Sequence, residues 1–71
     1  MDIIITKHAK ERMLERSISI EELQNAIDLP DYTIAKDNLI EVYKKIKNRN
    51  LKIVYSKEGK FIKIITVIDK S

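Results

Sequence analysis

The apolar positions of this chain follow two periods, helical up to about residue 30 and alternating from Tyr32 onward. Ahead of both, Ile3–Ile5 is a short β-branched run that reads as an extended lead-in. Thr6 is placed to cap a helix beginning at Lys7, and the stretch from His8 to Arg16 is rich in good helix formers. Ser19 and Glu22 then form an S-x-x-E capping box, with Ile18 and Leu23 at the two positions of a hydrophobic staple. A second helix is predicted from Ile20 to about Leu29. Ile20, Leu23 and Ile27 share one face of it, and Pro30 ends it.

Beyond Pro30 the alternation predicts strands at 32–35, 39–46, 51–56 and 61–68, joined by turns at Asp37-Asn38, Asn48-Arg49-Asn50 and Glu58-Gly59. Connections this short imply an antiparallel meander. A Glu58-Gly59 turn sets Tyr55 opposite Ile62, Ile53 opposite Ile64 and Leu51 opposite Thr66. The preceding hairpin sets Ile46 opposite Leu51 and Val42 opposite Tyr55. Read separately, the two hairpins agree on one apolar face, which also takes Ile40 and Ile68 and packs against the helices. Lys44 points the same way and is expected near the margin of the sheet. The opposite face carries Tyr43, Lys45, Lys52, Val54, Phe61, Lys63, Ile65 and Val67. It is basic, partly aromatic and more apolar than exposure to water requires, so a partner or ligand is expected to cover it. The architecture expected is α+β: two N-terminal helices on one face of a four-stranded antiparallel meander, a single domain over residues 1–71.

With 71 residues the core can supply only about 3–5 kcal/mol of net stability. No cysteine is available for a disulfide or thiolate metal site, and the single histidine, His8, excludes an ordinary zinc cluster. Nothing calls for a metal or a small-molecule cofactor. Apolar runs such as Ile3–Ile5 fall far short of the roughly 20 residues of a membrane span. No basic segment precedes a long apolar stretch at the start, so a cytoplasmic protein is expected. The net charge of +3 is modest, but it is polarised along the chain. Acids gather between Glu11 and Glu41, whereas Lys44, Lys45, Lys47, Arg49 and Lys52 follow with no acid among them.

His8, Arg12 and Arg16 recur every four residues and line one side of the first helix. An imidazole can act as a general base near pH 7, and two guanidiniums suit a phosphate. RNA cleavage by 2′-hydroxyl attack needs such groups. Alternatively, Arg12 and Arg16 pair with Glu15, Glu11 or the acids of the second helix. On the outer sheet face, Lys45, Lys52 and Lys63 suit a phosphate backbone, with Tyr43 and Phe61 available to stack on bases. The alternative there is a charged face that keeps the sheet soluble. No phosphate-cradling glycine loop, serine nucleophile elbow, zinc-protease motif or close carboxylate pair occurs.

The segment from Ile5 to Arg16, followed by Ile18-Ser19-Ile20-Glu21-Glu22, resembles a bacterial and archaeal family, domain of unknown function 4258. Its pattern is H-A-x-x-R-M-x-x-R-G-I-S, then a helix, an acidic or proline-marked turn, and a sheet ending in T-V. The matching residues are His8, Ala9, Arg12, Met13, Arg16, Ile18, Ser19, Thr66 and Val67. Ser17 stands where the family usually has a glycine, so the first helix is expected to end less sharply here. The order of elements is similar to that of the RelE, ParE and BrnT toxins of toxin–antitoxin pairs. That resemblance implies a RelE-like domain, a metal-independent ribonuclease acting on RNA and held by an antitoxin that covers the outer sheet face. The motif match carries His8, Arg12 and Arg16 over as candidate site residues. Tyr43, Lys45, Lys52 and Lys63 come from the face assignment as RNA-binding residues. The other reading is a non-catalytic module that docks protein or nucleic acid on the same face.

Overall fold

The computed structural model describes residues 2–70. In chain order the elements are β1 (Asp2–Ile5), α1 (Lys7–Glu15), α2 (Ile20–Asp28), β2 (Tyr32–Lys36), β3 (Leu39–Ile46), β4 (Arg49–Glu58) and β5 (Phe61–Asp69). They form a five-stranded mixed sheet in the order β1-β5-β4-β3-β2, with both helices on one face.

This corrects the four-stranded antiparallel meander. The lead-in Ile3–Ile5 belongs to β1, which pairs parallel to β5 with Ile3 beside Ile62 and Ile5 beside Ile64. The rest of the chain lies between these two strands, so no turn announces the pairing. Thr6 fastens it: its Oγ1 donates to the Ile64 carbonyl at 2.8 Å and also accepts from the Ala9 amide at 3.2 Å, capping α1. One side chain thus ends a strand and starts a helix.

The helix signals act as read. Ser19 Oγ accepts from the Glu22 amide at 3.0 Å, and Glu22 Oε1 accepts from the Ser19 amide at 2.9 Å. Ile18 and Leu23, the staple pair, are both buried. Helix α1 ends more sharply than the missing glycine implies. Ser17 itself takes the left-handed conformation (φ 54°), its amide donates to Leu14, and that of Ile18 donates to Met13 at 2.8 Å. These two bonds make a complete Schellman cap, with Ile18 packed in the same core as Met13.

Helix α1 lies against β5 and α2 against β3. Ala9, Met13, Leu23 and Ala26 from the helices meet Val42, Leu51, Ile53, Ile62, Ile64 and Val67 in one apolar core. The hairpin registers differ from the expected ones by two residues: Val42 faces Ile53 and Tyr55 faces Ile64. A shift of two preserves which side chains face the core, so that face survives the error. At the first turn of the β4–β5 hairpin, Gly59 has φ 64° while nothing crowds its α-carbon. Backbone freedom, not space, is its reason to be glycine.

One assignment reverses. Tyr55 faces Ile64 but Val54 faces Thr66, so Ile65 is the extra residue of a β-bulge. Beyond it the alternation of β5 inverts. Val67, expected outside, is fully buried, while Thr66 and Ile68, expected inside, face outward beside Val54 and Lys52.

Candidate nucleic-acid interface

The sheet separates the sequence-predicted site residues into two groups. His8, Arg12 and Arg16 belong to the helical layer. Tyr43, Lys45, Lys52 and Lys63 alternate with core residues and point away from it. The two sets therefore occupy opposite sides of the molecule.

On the helical side, His8 and Arg16 are exposed, and Arg12 Nη1 pairs with Glu15 Oε2 at 3.2 Å one turn on. The pairing foreseen as the alternative thus holds for Arg12. Neither His8 nor Arg16 has an ion pair among the described residues.

The outer face is built around Tyr43. Its ring stacks on that of Tyr32, the directly opposed residue of β2, with centroids 4.6 Å apart and planes 10° from parallel. Two ammonium groups approach the same ring, Lys52 Nζ at 5.8 Å and Lys70 Nζ at 5.7 Å from its centroid. The Tyr43 hydroxyl donates to Glu41 Oε1 at 3.1 Å, and Lys52 Nζ lies 3.5 Å from Glu41 Oε2. Partial desolvation opposes ionisation of Glu41, but the Tyr43 hydroxyl and the Lys52 ammonium outweigh it and hold the carboxyl below its usual range. The neighbouring Tyr43 side chain, and after it the charge of Glu41, raise the Lys52 ammonium above its usual range against its own desolvation.

Beside the stack, a cleft of about 300 Å³ is lined by Asp31, Tyr32, Tyr43, Lys44, Lys45, Asn50, Leu51 and Lys70. Asp31 closes its rim: Oδ2 accepts from the Lys45 amide at 2.8 Å and Oδ1 faces Lys44 Nζ at 3.6 Å. Lys44 is the inward-pointing lysine, and the margin of the sheet is where it finds this carboxylate. Lys45 therefore joins Tyr43 and Lys52, whereas Lys63 lies apart. It shares the face but is paired with Ile4 and Ser56, about 15 Å along β5 from the residue opposite Lys52. Phe61 lies beyond Lys63, out of reach of the stack.

Tyr32 and Lys70 are the members missed from sequence. Tyr32 was legible, because a two-residue turn at Asp37-Asn38 places it directly opposite Tyr43. Lys70 was not, because the bulge at Ile65 decides which side the end of β5 presents.

Among the described residues, no group of three His, Cys, Asp or Glu side chains could hold a metal ion, and no helix is long and apolar enough to cross a membrane. No curated protein and no solved structure matches the chain. The family model for domain of unknown function 4258 (DUF4258) matches residues 5–69, and with nearly the whole length covered, the chain belongs to that family.

Proposed function

We propose that the outer sheet face binds single-stranded RNA, in the cytoplasm and without a cofactor. The observation that carries this reading is the Tyr32–Tyr43 stack with two ammonium groups within 6 Å of the Tyr43 ring, beside a cleft flanked by Lys44 and Lys45. Aromatic rings accept unpaired bases by stacking, and lysines around them take the phosphates. Tyr32, 57% exposed, offers the free ring. Of the lysines, Lys45 and Lys70 are the phosphate ligands, since Lys52 is already engaged by Glu41. Binding is tested by fluorescence anisotropy with a labelled single strand of about 12 nucleotides at about 50 mM salt. Tyr32→Ala should weaken it about tenfold, and Lys70→Ala should make the salt dependence shallower. No binding at that salt, or two variants that bind like the wild type, would refute the reading.

The exposed His8 and Arg16, with no ion pair among the described residues, favour a second reading, a toxin-type ribonuclease. In it His8 accepts the 2′-hydroxyl proton as that oxygen displaces the 5′ oxygen from phosphorus, the departing oxygen takes a proton from water, Arg16 stabilises the phosphate, and the strand must wrap the domain to reach both sides. Its antitoxin would cover the outer face, where Ile4, Ile34, Leu39 and Ile68 leave apolar surface in water. Incubation with a mixed RNA pool and EDTA decides it: cleavage by the wild type and none by His8→Ala supports catalysis. No cleavage by either leaves binding alone.

A further inference from the structure

The two edges of the sheet are guarded very differently. β1 is short, begins with the charged Asp2 and passes at once through Thr6 into α1. β2 has no such protection. All five of its residues, Tyr32–Lys36, are exposed, because the helical layer stops over β3. Thr33 and Ala35 on the helix side and Tyr32 and Ile34 on the outer side all meet water. The strand is aromatic and β-branched, carries one charge at its end, and lacks the proline, bulge or inward charge that blunts an edge. Its outer backbone groups are a template for another strand.

We propose that β2 pairs antiparallel with the β2 strand of a second copy of this chain, centred on Ile34, to make a two-fold dimer with one continuous sheet. The strand complements itself in this register. Ile34 meets Ile34 of the copy on the axis. The small Thr33 and Ala35 face each other on the helix side. Lys36 lies opposite Tyr32 of the copy, a pairing without charge repulsion. Asp37 and Asp31 of the copy are the one like-charged approach, and Asp31 is already held by Lys44 and the Lys45 amide. The two-fold axis runs perpendicular to the sheet, so both outer faces look the same way. The β2 strands lie about 5 Å apart, and a Tyr32–Tyr43 stack flanks the axis on each side. A single-stranded ligand can then engage both stacks at once, which raises its avidity without any new contact.

Because the chain contains no cysteine, one substitution at a time reports the geometry. In Ile34→Cys, the two thiols should face each other at disulfide distance across the axis. In Ile68→Cys, on the same face and comparably exposed but three strands from β2, they should not. Under mild oxidation Ile34→Cys should cross-link to dimer at least about tenfold faster than Ile68→Cys. The unmodified chain should sediment as a concentration-dependent dimer. Ile34→Lys, which opposes two ammonium groups on the axis, should raise the dissociation constant at least about tenfold. A monomeric mass at every concentration up to about 1 mM, or equal cross-linking of the two cysteine variants, overturns the proposal. The mass measurement needs no variant, so a substitution that fails to fold cannot rescue it.

Discussion

Ile53 and Val54 are neighbours on β4 with similar side chains, yet they face two different environments. Ile53 is completely buried among Leu23, Val42, Ile62 and the rest of the core. Val54 stands on the other side, between Glu41 and Thr66, with no helix above it. The inner face is apolar except at its margins, where Thr33 meets water and Lys44 meets Asp31, and no polar or charged side chain is buried among the described residues. The outer face mixes a tyrosine stack, lysines, carboxylates and exposed isoleucines. A small domain has little stability to spare. Polar chemistry is therefore tolerated where water remains available and excluded from the side that holds the fold together.

The contrast breaks most readily at Ile53. Ile53→Ala should cost about 2–5 kcal/mol, comparable with the whole stability of a domain this size, whereas Val54→Ala should cost under about 1 kcal/mol. Urea unfolding followed by circular dichroism checks both, and equal losses would mean that the outer face is also packed. Ser17→Gly acts within the helical layer. Replacing a left-handed serine with glycine should add about 1 kcal/mol, read as a higher unfolding midpoint with unchanged cooperativity. Glu41→Gln probes the outer face alone. By removing the acid that occupies Lys52 it should tighten RNA binding about threefold at low salt, with the difference vanishing at high salt.

The smallest expected effect is the acid response of Glu22, on the helical side. The Ser19 backbone hydrogen bond, then the charge of Arg49, lower its carboxyl below the usual 4.5 despite some desolvation. A carboxyl depressed in the folded state contributes stability above its unfolded value. That contribution is lost as the pH falls through the lower folded value. The unfolding midpoint of the wild type should therefore drop below about pH 4.5, and Glu22→Gln should flatten that drop by a few tenths of a kcal/mol. An unaltered acid profile in the variant would show that the capping box is not titrating with the fold.

Much of this domain is legible because its signals are local. The S-x-x-E box, the Thr6 cap and Pro30 act within one turn of chain, so both helices begin where residue chemistry places them. The apolar side of β3 and β4 also survived a two-residue register error, because the side-chain period is two. At the candidate site, Tyr43, Lys45 and Lys52 were legible from alternation, and Tyr32 lay within reach of the Asp37-Asn38 turn.

Contacts between distant segments carried no such signal. The pairing of β1 with β5 joins the two ends of the chain, and its hydrogen bonds have no sequence spacing that reports them. The bulge at Ile65 is equally hidden. The run Ile64-Ile65-Thr66-Val67-Ile68 is apolar enough to place either parity in the core, and only packing against the helices selects Val67. That choice sends Lys70 to the tyrosine stack. The sheet also divides His8, Arg12 and Arg16, in the helical layer, from Tyr43, Lys45, Lys52 and Lys63 on the outer face. Residue types and periods specify what each segment is and which side of it is apolar. The assembled fold alone determines which of those sides meet, because burial is shared among segments far apart in the chain.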